Sequence, residues 1–154
     1  MAHYRASLDT PLPREEAFAY LSDFSTTEEW DPGVVQARRR DAEGLGEGSE
    51  FRLLTRFLGR TVGITYTVIE YEPPGAVTFH GENATVTSRD RITFLNTGEG
   101  TRIVYDAELT LRGPLRLADP LLRPAFERVG DRALAGLRQT LARRVAARGA
   151  AVEA

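Results

Sequence analysis

Between residues 34 and 112 apolar and polar side chains alternate with a period of two, broken only by short turn signals. Six segments carry the alternation: "VVQARRRD", "SEFRLLTRFL", "TVGITYTVIEY", "AVTFHGE", "TVTSRDRITFL" and "TRIVYDAELTLR". The links between them are "EGLGEG", "GR", "EPPG", "EN" and "NTGEG", rich in the residues that tight turns need. Parallel strands need a crossover of about a dozen residues or more, so links this short imply an antiparallel meander. On the fifth segment Ser88, Asp90, Ile92 and Phe94 alternate with Arg89, Arg91 and Thr93. On the sixth, Ile103, Tyr105, Ala107 and Leu109 alternate with Arg102, Val104, Asp106 and Glu108. The apolar sets should face inward, leaving Arg91 to pair with Asp106 or Glu108 on the wet face. Ser88 and Asp90 are then polar side chains on an apolar face.

The flanks read differently. A strand over residues 3–10 precedes "PLPREEAFAYLSDF", where Thr10 is a candidate helix cap and Pro11 or Pro13 suits a first helical turn. Ala17, Phe18 and Leu21 share one face of that helix, and a second short helix over 26–30 ends at "DPG". Beyond residue 112 the period becomes helical. Leu122, Phe126, Val129, Ala133, Leu137, Leu141 and Val145 form one stripe on a helix over 120–148, about 40 Å long at ~1.5 Å per residue. Gly130 and Gly136 cost that helix about 1 kcal/mol each relative to alanine, which predicts close approach of another element or a ligand. With no repeat and no linker, residues 1–148 read as one domain and 149–154 as a flexible tail.

Several chemistries are excluded or disfavoured. The chain has no cysteine, which removes disulfides, thiolate nucleophiles, zinc–thiolate sites and iron–sulfur ligation. It has no lysine either, so neither Schiff-base chemistry nor a phosphate-loop lysine is available. A net charge of −2 argues against nucleic acid as the main partner. Arg38 to Arg40 and Arg143, Arg144 and Arg148 read as a solvated strand and a helix end. His3 and His80 fall in separate strands, with His80 on the outer face, and no HExxH-like spacing exists; neither a metal nor a cofactor is expected. "GLGEG" has no helix after it and is a turn rather than a dinucleotide fingerprint. No apolar run nears the ~20 residues of a membrane span and no signal peptide is visible, so a cytoplasmic protein is expected.

The stretch "AFAYLSDFSTTEEWDPGV" over residues 17–34, with "GLGEGSEF", "EYEPPGAVTF" and "GEGTRIVYDAELT", resembles the START-like, polyketide cyclase/dehydrase superfamily, whose fold is the Bet v 1-like helix-grip. The resemblance runs from about residue 2 to 148. It implies an α+β fold: a curved antiparallel sheet of about seven strands around a long C-terminal helix, with two short helices after the first strand. It also implies a cavity between sheet and helix, which members use for lipids, hormones, polyketides or quinones, some as aromatase/cyclases. The expected function is binding or carriage of a small, mostly apolar molecule; the alternative is a polyketide cyclase/aromatase-type enzyme acting in the same cavity. A small apolar ligand is the expected partner, and a homodimer is an open alternative.

The inner-face residues expected along such a cavity are Phe51, Leu53, Phe57, Ile64, Tyr66, Val68, Phe79, Ile92, Phe94, Tyr105, Phe126 and Gly130, joined by the polar Ser88 and Asp90. Strand alternation alone does not separate pocket lining from closed core. Asp90 is the catalytic candidate, because a carboxyl among apolar neighbours has a raised pKa and can serve as acid, base or hydrogen-bond donor. Trp30, the sole tryptophan, either pins the corner where the short helices meet the sheet or forms a wall of the cavity.

Overall fold

The computed structural model describes residues 1–41 and 44–153, with side chains to residue 149. Strand β1 (Ala2–Thr10) leads into α1 (Arg14–Leu21), a 3₁₀ turn (Phe24–Thr26) and α2 (Thr27–Trp30). Six strands follow: β2 (Val34–Arg39), β3 (Glu50–Phe57), β4 (Arg60–Glu72), β5 (Ala76–Glu82), β6 (Val86–Thr97) and β7 (Gly100–Leu111). A second 3₁₀ turn (Gly113–Ala118) enters the long helix α3 (Asp119–Glu153), which runs past the expected end at Arg148. Of the expected turn "EGLGEG" and tail, Glu43 and Ala154 lie outside the described residues.

The sheet has the order β1-β7-β6-β5-β4-β3-β2 with every neighbouring pair antiparallel. This is the meander that the short links require, with β1 closing onto β7. It curls around α3 in the helix-grip arrangement. Among the described residues no helix is long and apolar enough to cross a membrane.

The inner faces align as the alternation implies. Asp90 stands opposite Ala107, Ile92 opposite Tyr105 and Phe94 opposite Ile103. The outer face differs from expectation at Arg91. A bulge between Val68 and Glu70 inserts one residue in β4 and reverses its phase, so Tyr71 rather than Glu70 turns toward the core. Glu70, Thr78 and Arg91 then stand abreast on the outer face. Arg91 donates to Thr78 Oγ1 at 3.0 Å and lies 3.5 Å from Glu70, while Asp106 is taken by His3 Nε2 at 2.7 Å.

The start of α1 also corrects the sequence reading. Pro13, extended at φ −59° and ψ 150°, occupies the N-cap without a side-chain cap, and Thr10 stays in β1. Pro11 and Pro13 disfavour the helical region at the residues before them, Thr10 and Leu12. The Thr10 hydroxyl instead accepts from Leu12 N–H at 3.3 Å.

The core is densest where α1 and the 3₁₀ turn press on the sheet. Phe24 stacks on Phe79 with ring centroids 3.7 Å apart and meets Tyr66 edge-on at 5.2 Å; Phe18 meets Phe94 at 5.3 Å. Both α3 glycines lie under close neighbours. A Cβ on Gly130 would sit 2.7 Å from the Tyr4 ring, and one on Gly136 would collide with the Trp30 carbonyl oxygen. The second neighbour is backbone and cannot swing away. Gly136→Ala should therefore destabilise the fold by about 2 kcal/mol despite alanine's helix propensity. Thermal denaturation should show Tm falling by about 4–8 °C; an unchanged Tm would mean that α2 and α3 are not pressed together here.

Candidate functional site

Away from this dense end, the inner face of the sheet and the first half of α3 do not close on one another. They enclose a cavity of about 220 Å³. The sheet contributes Leu53, Phe57, Ile64, Tyr66, Ser88, Asp90 and Tyr105; α3 contributes Leu122, Phe126, Gly130, Ala133 and Leu137; the α2 corner contributes Trp30. Phe51, Phe79 and Ile92, with Val68 and Phe94, do not border it. They are fully buried in the core, where Phe18 and Phe24 occupy the space between sheet and helices.

The polar groups converge at one place. Asp90 is 7% exposed and accepts two hydrogen bonds of 2.6 Å, from Ser88 Oγ to Oδ1 and from Tyr105 OH to Oδ2. Removal from water raises its pKa, and the two hydroxyl donors, which favour the charged form, oppose that rise. Burial likewise raises both phenols, Tyr66 and Tyr105, and the Asp90 charge adds to it.

A second carboxyl joins the first. Asp31 borders the same cavity, and its Oδ1 accepts from Gly33 N–H at 2.8 Å. Desolvation pushes it up to about 6, the Gly33 N–H opposes this, and the Asp90 charge adds to it. Sequence reasoning absorbed Asp31 into the "DPG" turn, and nothing local marks its side chain as facing inward. Tyr4 was also missed, although extending the alternation to β1 would find it: Tyr4 stands opposite Ala107 on the inner side. Its hydroxyl donates to Asp131 Oδ1 at 2.9 Å, and burial raises its pKa to about 12.

The raised acid makes a stability prediction. The folded state holds the Asp31 proton more tightly than the unfolded chain, so stability falls as pH rises from the ordinary value of 3.8 to about 6. An asparagine in its place would still accept from Gly33 N–H but has no charge to bury. Asp31→Asn should thus stabilise the protein by about 1–3 kcal/mol near pH 7.5, an advantage that vanishes near pH 4. Urea denaturation across that range measures it; a variant less stable than wild type near pH 7.5 would contradict the buried-acid description.

Trp30 sits where α2 meets α3 and also lines the cavity. Its carbonyl packs on Gly136 of α3, and its ring meets Tyr105, another lining residue, edge-on at 6.3 Å. Its buried Nε1–H has no acceptor among the described residues. The histidines lie elsewhere. His80 is 3.6 Å from Glu82. His3, Asp106 and Glu108 bring ligand-type atoms within 4.8 Å of one another, a grouping no local spacing announces; His3 is exposed and its imidazole is already engaged by Asp106.

Known proteins share this architecture. An aromatase/cyclase, ZhuI from Streptomyces sp. R1128, superposes with a TM-score of 0.79 at 16% identity, covering 93% of this chain and 94% of that one. TTHA0849 from Thermus thermophilus gives 0.77 at 20% identity over 92% and 98%. At such identities the likeness is one of fold. In sequence, Toxin Rv0910 of Mycobacterium tuberculosis H37Rv is 32% identical over 82 residues, 53% of this chain and 57% of that protein. The match thus spans a little over half of that relative's length. The model of the family described as polyketide cyclase/dehydrase and lipid transport matches residues 1–142, nearly the whole chain, and the protein belongs to that family.

Proposed function

We propose that the protein binds or carries a small, mostly apolar molecule in the cavity between its sheet and α3. The observation that carries this reading is the split of one apolar face into a dense core around Phe24 and an unfilled, largely apolar chamber with a few convergent polar groups. Desolvation raises the pKa of both Asp31 and Asp90, a cost expected at a binding site rather than in a purely structural interior. The unpaired Trp30 Nε1–H offers a donor to an oxygen on the ligand. Burying ~300 Å² of apolar ligand at ~25 cal/mol/Å² contributes about 7 kcal/mol before association costs, and the polar groups at the cavity's end add to it.

Native mass spectrometry of gently purified protein, with thermal shifts against long-chain acids, alcohols, amines and polycyclic aromatics, tests the reading. A retained adduct released on denaturation, or a dose-dependent rise in Tm, is expected. Neither an adduct nor any shift across the panel would overturn it.

One observation favours a second reading, a cyclase/aromatase-type enzyme. Asp90 accepts from Ser88 and Tyr105 beside the cavity, and such a carboxyl would serve as the acid or base that cyclisation of a poly-β-ketone needs. Turnover of a reactive polyketide mimic, lost in Asp90→Asn, would support it; equal rates with and without protein would remove it.

A further inference from the structure

The polar end of the cavity holds two acids, and among the described residues no basic side chain is paired with either. We propose that it accepts a protonated amine, so that the ligand is an apolar ammonium ion; this rests on the reading of the cavity as a ligand site. Both Asp90 oxygens receive hydroxyl donors at 2.6 Å, the short distance typical of O–H···O⁻ bonds. The donors are therefore set to hold a carboxylate. Yet among the described residues no arginine or histidine pairs with Asp90 or Asp31.

The groups around the two acids leave the imbalance in place. Tyr66 of β4 and Tyr105 of β7 are phenols held protonated by burial, and Ser88 is neutral. Tyr4 of β1 is tied to a third acid, Asp131 of α3. Arg56 of β3 borders the cavity, but its side chain is exposed and forms no ion pair with either acid. Arg89 and Arg91 lie on the opposite face of the sheet, near Glu70. A ligand ammonium would supply the missing charge, and the aromatic residues Trp30, Tyr66 and Tyr105 line the same cavity, where an aromatic ring attracts a cation. A fatty acid would bring a further anion beside two acids. Trp30 Nε1–H remains free for an acceptor elsewhere on the amine.

The test uses three probes with one apolar body, n-decylamine, n-decanol and n-decanoate, titrated calorimetrically into the full chain below their micellar concentrations. Near pH 7.5 decylamine should bind at least about tenfold more tightly than decanol, with decanoate weakest. Its affinity should fall toward pH 5, where Asp31, pushed up to about 6, regains its proton. The amine preference should disappear in Asp90→Asn and shrink in Asp31→Asn, which keeps the Gly33 turn, while decanol binding persists in both. Decanol binding as tightly as decylamine to wild type would overturn the amine assignment and leave the cavity reading standing. An amine preference unchanged in both variants would also overturn it. Failure of all three probes to bind would overturn both.

Discussion

Phe24→Ala should destabilise the protein by about 3–5 kcal/mol, a large part of the ~5–15 kcal/mol that holds a typical domain together. Phe24 is 2% exposed although it belongs to a three-residue 3₁₀ turn. The turn is held by its own residues: Asp23 Oδ1 accepts from Ser25 N–H at 3.0 Å, and Thr26 Oγ1 donates to the Asp23 carbonyl at 2.8 Å. From that anchored position one ring stacks on Phe79 and meets both Phe51 and Tyr66 edge-on. Its removal takes a ring contact from each of three aromatic neighbours, of which only Phe51 and Phe79 still meet one another, and joins the dense core to the adjacent cavity, which Phe24 also borders. Urea denaturation followed by circular dichroism gives the size of the loss. A change below about 1 kcal/mol would show that the fold is not anchored at this ring.

Filling the cavity should have an equally large effect on binding and a small one on stability. Ala133 borders the chamber from α3, one turn from both Gly130 and Leu137. A phenyl ring grown there projects into unfilled space, so Ala133→Phe should change stability by no more than about 1–2 kcal/mol. The same ring takes up much of a 220 Å³ chamber, and affinity for decanol or decylamine should fall about a hundredfold or more. Calorimetry and thermal denaturation on one preparation separate the two effects. Wild-type affinity in a folded Ala133→Phe protein would place the ligand elsewhere.

The architecture was legible because its signals are periodic. One-sided burial imposes the two-residue alternation over residues 34–112, and the α3 stripe imposes the helical one. Gly130 and Gly136 also announced close neighbours, although only the tertiary arrangement shows these to be Tyr4 and the Trp30 carbonyl. Other features depend on contacts that no local pattern encodes. The bulge after Val68 sends Glu70 outward to Arg89 and Arg91, where simple alternation would send it inward. Phe51, Phe79 and Ile92 share their faces and residue classes with Leu53, Ile64 and Tyr66; what separates core from chamber is where Phe18 and Phe24 come down on the sheet. Asp90 was recognisable as a polar break in an apolar face. Asp31 was not, because Asp-Pro-Gly is equally well explained as a turn.

The crystal structure of the protein with whichever of n-decylamine and n-decanol binds more tightly tests the central claim most directly. The account predicts the chain between the sheet and α3, against Trp30, Tyr105 and Leu137, with its polar end beside Asp90. A ligand in the outer groove between α2 and α3, bordered by Glu28, Arg132 and Arg143, with the inner chamber empty, would contradict it.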